Sequence, residues 1–268
     1  MGEFLDATRV AEVTAPGSPA RTYAATIAPG WDIAGNANGG YLMALAVRSM
    51  SAAVERPPLS VTAHYLAPGR PGPAEVEVVV HRAGRRTATA GAVVRDDRGA
   101  GLISVLGTFA ELREEGRPVV DAAPPDLPPL EQCVRTVPPA ELSGFGDRVA
   151  MYVHPDDTRF ASGEPRGVAE IRGWFEFADR APVDAVGLFV AADAFPPVVF
   201  NRGAFPIGWA PTLELTVHVR GVPAPGPLRC RFSSRFMQAG MFEEDGEVWD
   251  TRGTLVAQSR QLALIPRG

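Results

Sequence analysis

The chain has 268 residues, enough for one large domain or two of about 100–150 residues, and its 46% hydrophobic content is that of an ordinary globular protein. With 26 basic residues against 31 acidic ones the net charge is −5, which argues against nucleic acid or any other partner held by phosphate neutralisation. Cys133 and Cys230 are the only cysteines, too few for a disulfide framework and without the spacing of a zinc site.

The first residues, Met1-Gly2-Glu3-Phe4-Leu5-Asp6, lack the basic and apolar regions of a signal peptide. No apolar run nears the roughly 18 residues of a membrane span. A cytoplasmic protein without a membrane partner is expected. Trp31 to Asn38 reads as loop. From Gly39 a helix is predicted to about Val54, with small or apolar residues nearly all round, the mark of a buried helix. Asn38 is its N-cap and Pro57-Pro58 ends it. Strands follow. Val61, Ala63 and Tyr65 alternate with Ser60, Thr62 and His64; Glu75 to Val80 and Ala88 to Arg95 come next. Asp96-Asp97-Arg98-Gly99 then turns the chain into Leu102 to Phe109.

Pro118 to Ser143 is rich in proline and has no periodicity, so it reads as an extended crossover between two units. Beyond it the pattern returns. Trp174 to Phe177 is a strand. Pro182 and Asp184 open a helix running through Val186 to Ala192, and Pro196-Pro197 breaks it. Leu213 to Arg220, Leu228 to Phe236, Phe242 to Asp250 and Leu255 to Ile265 are further strands.

The order repeats because the sequence does. Leu59-Ser60-Val61-Thr62-Ala63-His64 matches Leu213-Glu214-Leu215-Thr216-Val217-His218 at an offset of 154 residues, and Pro73/Pro227, Asp96/Asp250, Arg98/Arg252 and Gly99/Gly253 stay in register. That period is far longer than the roughly 20–50 residues of a solenoid or propeller repeat. The reading is a duplicated α+β unit: residues 1–115, a crossover at 116–145, and residues 146–268, with a site where the halves meet.

Three residues of the second half carry a resemblance. Asp193 stands in Ala191-Ala192-Asp193-Ala194-Phe195-Pro196 after the second helix, Thr212 opens the next strand in Pro211-Thr212-Leu213-Glu214, and Gln261 lies on the last strand in Gln258-Ser259-Arg260-Gln261. In these features the chain resembles the bacterial type II acyl-CoA thioesterases and their actinobacterial thioesterase-like relatives, most closely from Gly173 onward. It departs from them in a shorter Phe-Pro segment after Asp193 and a shorter loop from Asn201 to Pro211. The resemblance implies a double hotdog, two curved antiparallel sheets each wrapped around one buried helix. It also implies acyl-CoA or a related acyl thioester as substrate, no metal or redox cofactor, and a homo-oligomer. Asp193, Thr212 and Gln261 would bind and activate the hydrolytic water.

The chemistry suits those residue types. Thioester hydrolysis needs an activated water and a stabilised oxyanion. A carboxylate can take the water's proton, while a hydroxyl and an amide can donate to or accept from the same water. Helix N-termini present free N–H groups, which makes Asn38-Gly39-Gly40 the candidate oxyanion site. Trp31 and Trp209 precede pocket-forming segments and are candidates to line an acyl channel. Each residue also has a plain reading: Asp193 as a capping carboxylate, Thr212 as a strand residue chosen by β-propensity, Gln261 as an exposed strand position, the tryptophans as core. His64 and His218 recur with the repeat and read as polar-face strand residues. Two other functions stand beside hydrolysis. An enoyl-thioester hydratase would need an Asn-Pro-x-His setting that no histidine here has, His154 before Pro155-Asp156-Asp157 being the nearest. A non-catalytic acyl- or polyketide-thioester-binding protein is the other.

Overall fold

The computed structural model describes residues 2–112, 121–137 and 144–266. Strand β1 spans Arg21–Ile27. Helix α1 follows at Gly39–Val54, its first turn capped by the Asn38 side chain, which accepts from Tyr41 N. It ends at Glu55 in the left-handed conformation. Tyr41 to Val47 is fully buried, as an all-apolar helix demands. Strands β2 Pro58–Tyr65, β3 Gly72–Ala83, β4 Thr87–Asp96 and β5 Gly101–Ala110 complete the first half.

Within the crossover, β6 Val134–Thr136 is a strand that pairs with β7 Val149–Val153, so this segment adds an edge to the sheet where irregular chain was expected. Residues 116–120 and 138–143 of the predicted crossover lie outside the described residues. The second half continues with β8 Glu170–Phe177, helix α2 Gly187–Ala191, and strands β9 Thr212–Val219, β10 Leu228–Ser233, β11 Met241–Trp249 and β12 Leu255–Leu264.

Helix α2 is shorter than predicted. Asp184 caps it, its Oδ1 accepting from Val186 N at 3.1 Å and Gly187 N at 2.7 Å. Prolines at 196 and 197 prevent extension in the other direction. The chain leaves the helix at Ala192, and the Asp193 carbonyl accepts from the Asn38 side chain at 3.0 Å instead of from a following helical amide.

All these strands belong to one antiparallel sheet ordered β1-β3-β4-β5-β2-β9-β12-β11-β10-β8-β7-β6. The first five and their counterparts β8-β10-β11-β12-β9 have the same order, run in opposite senses from the centre. At the centre β2 pairs with β9, Thr62 opposite Thr216, and the two hydroxyls are 2.8 Å apart. These are the same position of the repeat, so a pseudo-twofold axis passes between them. His64 faces Glu214 and His218 faces Ser60 around that axis, both histidines on the exposed side. The hairpin turns match in detail. Asp96 Oδ1 accepts from Arg98 N and Ala100 N, Asp250 Oδ1 from Arg252 N and Thr254 N. Pairing through β2 and β9 removes two open edges that would otherwise template aggregation. Each half curves its sheet around its own helix, the double hotdog.

The helices meet between the sheets. Phe4, Trp31, Tyr41, Phe145 and Phe177 knit the region beneath the start of α1, with Trp31 stacked on Tyr41 at 5.1 Å between ring centroids. Gly40 touches the α2 backbone so closely that a methyl there would run into the Phe189 carbonyl and lie 2.9 Å from Asp193 Cβ. Gly40→Ala is therefore expected to destabilise the protein by about 1–3 kcal/mol, the usual cost of overpacking. Thermal and urea denaturation of the two proteins checks this, and an unchanged midpoint would mean that the helices are not in fixed contact.

Candidate active site

Asp193 follows α2 and reaches across the molecule to the start of α1. Its Oδ2 accepts from Gly40 N at 2.8 Å and from Asn38 Nδ2 at 2.9 Å. Asn38 is thereby committed at both ends, since its Oδ1 caps the helix by accepting from Tyr41 N at 3.0 Å. A carboxylate at a helix N-terminus is favoured by the unpaired amides and the dipole. Burial works the other way and dominates: it pushes the Asp193 carboxyl up to about 6, against the lowering by Gly40, Asn38 and Gly39.

This geometry corrects the expectation for Asn38-Gly39-Gly40. The Gly40 amide and the Asn38 side chain do not stand free for an oxyanion, because the Asp193 carboxylate already occupies them. Asn38 and Gly39 do line the cavity described below; Gly40 is buried and does not.

Thr212 and Gln261 sit on neighbouring strands β9 and β12. Thr212 Oγ1 donates to Gln261 Oε1 at 2.9 Å, and Gln261 Nε2 donates to Glu244 Oε1 at 2.8 Å. Glu244, on β11 directly opposite Gln261, is a member of this cluster that the sequence reading missed. Its side chain is buried, and Val198 N donates to its Oε2 at 3.0 Å. Burial pushes its carboxyl up to about 8; the Val198 amide opposes this, and the nearby Asp193 charge adds to it. One signal could have revealed it: β11 buries Phe242, Glu244, Gly246 and Val248, an inward phase interrupted by a single acid.

Asp193, Thr212, Gln261, Asn38 and Gly39 all open onto one cavity of about 790 Å³. Its walls are mostly apolar, with Leu42, Met151, Phe160, Phe200, Phe242 and Leu264 among them. Trp209 lies on this cavity and is 54% exposed. Trp31 does not line it. That ring is 2% exposed and forms part of the aromatic cluster under α1, so the expectation of an acyl-channel role is corrected to core. Its carbonyl helps to hold the loop, accepting from Asn38 N at 2.9 Å.

Tyr65, the last residue of β2, was also missed. Its hydroxyl is buried without a protein partner among the described residues. Burial, then the charges of Asp193 and Glu214, hold it well above the ordinary tyrosine range, so it keeps its proton. A methyl on Gly39 would lie 2.9 Å from this hydroxyl and 3.0 Å from Asp193 Oδ2, so the two groups are less than about 6 Å apart. His154 has a structural task away from the cavity: its Nδ1 accepts from Asp156 N at 3.2 Å as the cap of a 3₁₀ turn.

The N-terminal domain profile of the acyl-CoA thioesterase family matches residues 27–110, and its C-terminal domain profile matches residues 119–265. Over 277 aligned positions the chain is 29% identical to uncharacterised proteins of Mycobacterium tuberculosis and Mycobacterium bovis, covering 94% of each partner and of itself. Among solved structures, one from Thermobifida fusca described as a thioesterase II is 35% identical, with a TM-score of 0.89 over 100% of this chain and 98% of that one. A hotdog-fold protein of unknown function from Alicyclobacillus acidocaldarius aligns with a TM-score of 0.85 at 23% identity over 100% of this chain and 99% of that one, a likeness of fold alone.

The two raised carboxyls have a consequence for stability. In the folded protein Asp193 moves from 3.8 to about 6 and Glu244 from 4.5 to about 8, so both hold a proton more tightly than when unfolded. Their contribution is complete below the unfolded values and is lost as pH rises through the folded ones. The melting temperature is therefore expected to fall between pH 5 and about pH 8, and to fall less in Glu244→Gln. Calorimetric scans across that range check the sign; a midpoint rising with pH and unaffected by the substitution would contradict it.

Proposed function

The chain belongs to the acyl-CoA thioesterase family, and from that premise we propose that it hydrolyses acyl-CoA, or a related acyl thioester, through a water held by Asp193, Thr212 and Gln261. One observation carries the reading: three polar residues of the second half, from the segment after α2, from β9 and from β12, open onto one apolar cavity of about 790 Å³. An apolar chamber with a few convergent polar groups suits an acyl chain bearing one polar reactive carbonyl.

Asp193 is the general base. A carboxyl near 6 is ionised at neutral pH yet basic enough to take a proton, which is the compromise general-base catalysis favours. The water oxygen attacks the thioester carbonyl carbon as Asp193 accepts its proton. The carbonyl–sulfur bond then breaks, and the leaving thiolate takes up the proton that Asp193 received, which returns Asp193 to its ionised form. The Tyr65 hydroxyl, protonated and beside Asp193, is the donor for the carbonyl oxygen. Asn38 and Gly40 act by placing Asp193 at the cavity wall, where Gly39 also lines the cavity, and Trp209 borders the acyl chain. The two cysteines, both free, fit a reducing cytoplasmic setting.

Asp193→Asn is expected to keep the fold and acyl-CoA binding while lowering turnover by about 10²–10⁴, the range of a general base. Thr212→Ala and Gln261→Ala are expected to lower kcat with little change in KM. Thiol release from acyl-CoAs of graded length, with binding measured calorimetrically, tests both. Turnover at the parent rate in the Asn variant would remove Asp193 from the mechanism. Binding without thiol release from any substrate would favour the acyl-thioester-binding alternative.

We also infer a homo-oligomer, because the sheet leaves Val79, Leu106 and Val134 exposed on its strands and its end strands can pair with those of another copy. Light scattering at tens of micromolar protein (a working range, roughly that of weak association) should return a multiple of the chain mass.

A further inference from the structure

Glu244 has no part in the roles assigned above, yet it ends a chain of hydrogen bonds that leads to the proposed water. The order is Val198 N to Glu244 Oε2 at 3.0 Å, Gln261 Nε2 to Glu244 Oε1 at 2.8 Å, and Thr212 Oγ1 to Gln261 Oε1 at 2.9 Å. A backbone N–H can only donate, and an ionised carboxylate can only accept. Val198 thus claims one carboxylate oxygen. The other accepts from the amide NH₂ of Gln261, which turns that residue's carbonyl toward Thr212. The single Thr212 hydroxyl proton then points inward, and the lone pairs of Oγ1 remain for the cavity.

We propose that Glu244 is a positioning residue whose carboxylate sets the direction of this relay, so that Thr212 accepts from the reacting water and does not donate to it. The inference rests on the thioesterase reading. A water donating one proton to Asp193 and the other to Thr212 keeps a lone pair directed at the carbonyl carbon. A Thr212 hydroxyl that donated would engage that lone pair and work against attack.

The relay is reversible in principle. If Glu244 gains a proton it can donate to the Gln261 carbonyl, turning the amide NH₂ toward Thr212 and the Thr212 proton toward the water. The charged groups acting on Glu244 are Asp193, from the segment after α2, and Glu243, its neighbour on β11, both acidic and both favouring the protonated form. The productive direction is therefore the one at higher pH, in keeping with a Glu244 carboxyl near 8.

An isosteric substitution separates direction from packing. In Glu244→Gln, Val198 N–H must take the new side-chain oxygen, so the new NH₂ faces Gln261 and forces that amide to turn over. Assayed above about pH 8, where Glu244 is ionised, the expected result is a fall in kcat of about 10²-fold, the scale of a misdirected reactant, with KM nearly unchanged and melting no lower than the parent's. The double variant Glu244→Gln/Gln261→Glu exchanges amide and carboxylate. It returns an acceptor to Thr212 and is expected to recover most of the loss. Parent-like turnover in the single variant, or no recovery in the double, overturns the proposal. A readout independent of turnover is the Gln261 side-chain amide resonance in NMR, identified by its loss in Gln261→Ala. It should shift with pH between 6 and 9 in the parent, a window spanning the Glu244 carboxyl near 8, and stay still in Glu244→Gln. A resonance that titrates alike in both proteins also overturns the proposal. An inactive parent whose Gln261 amide still titrates with Glu244 would sink the thioesterase reading and leave the relay standing.

Discussion

Asp193 bound to the start of α1 is the contact on which the rest of the site depends. Its carboxylate takes the Gly40 amide and the Asn38 side chain, and its carbonyl takes Asn38 again, so three bonds cross from the second half of the chain to the first. Such a contact needs a helix start with no side chain in the way, and Gly40 supplies it. It also needs a short second helix, because a longer α2 would carry residue 193 past the point of contact. A carboxylate anchored by one oxygen to the Gly40 amide and the Asn38 side chain is held, among the described residues, without a lysine or arginine, which would have pulled its proton affinity down.

Duplication supplies the frame and then departs from itself. The order of five strands, the paired threonines on the axis and the matched aspartate turns are common to both halves. The polar residues are not. At the position in the first half that matches Gln261 stands Gly107, packed against Phe109 and Val61. The helices differ likewise, 16 residues against five. One half contributes a long buried helix whose N-terminus receives a charge. The other contributes the charge and the strand-borne Thr212, Gln261 and Glu244. The cavity forms between unlike partners, so its walls do not follow the symmetry of the fold.

Electrostatics in that cavity are governed by burial more than by pairing. Asp193, Glu244 and Tyr65 all hold their protons more tightly than in water, and no cation offsets them in the contacts described. Two buried carboxyls, one of them raised further by the charge of the other, are costly in a stable core. They fit a site that must hold and release a proton.

The fold was legible because its signals are local or repeated. An apolar helix with an Asn cap, strands of period two and a second copy in register specify two alike units, since burial of one face is imposed residue by residue along each element. The polar residues of the site were legible individually, as an Asp after a helix and a Thr and a Gln on strands. What those residues touch was not. Asn38 and Gly40 looked like free donors, and Trp31 looked like channel lining. Glu244 was hidden among acids of a strand whose inward phase becomes significant only when Gln261 lies opposite, and Tyr65 passed as one more apolar strand position. Sequence patterns report which face of an element is buried. They do not report which group fills the space across from it, because that pairing joins residues some 150 positions apart, as Asn38 and Asp193 are, and is decided only when the helices and sheets pack.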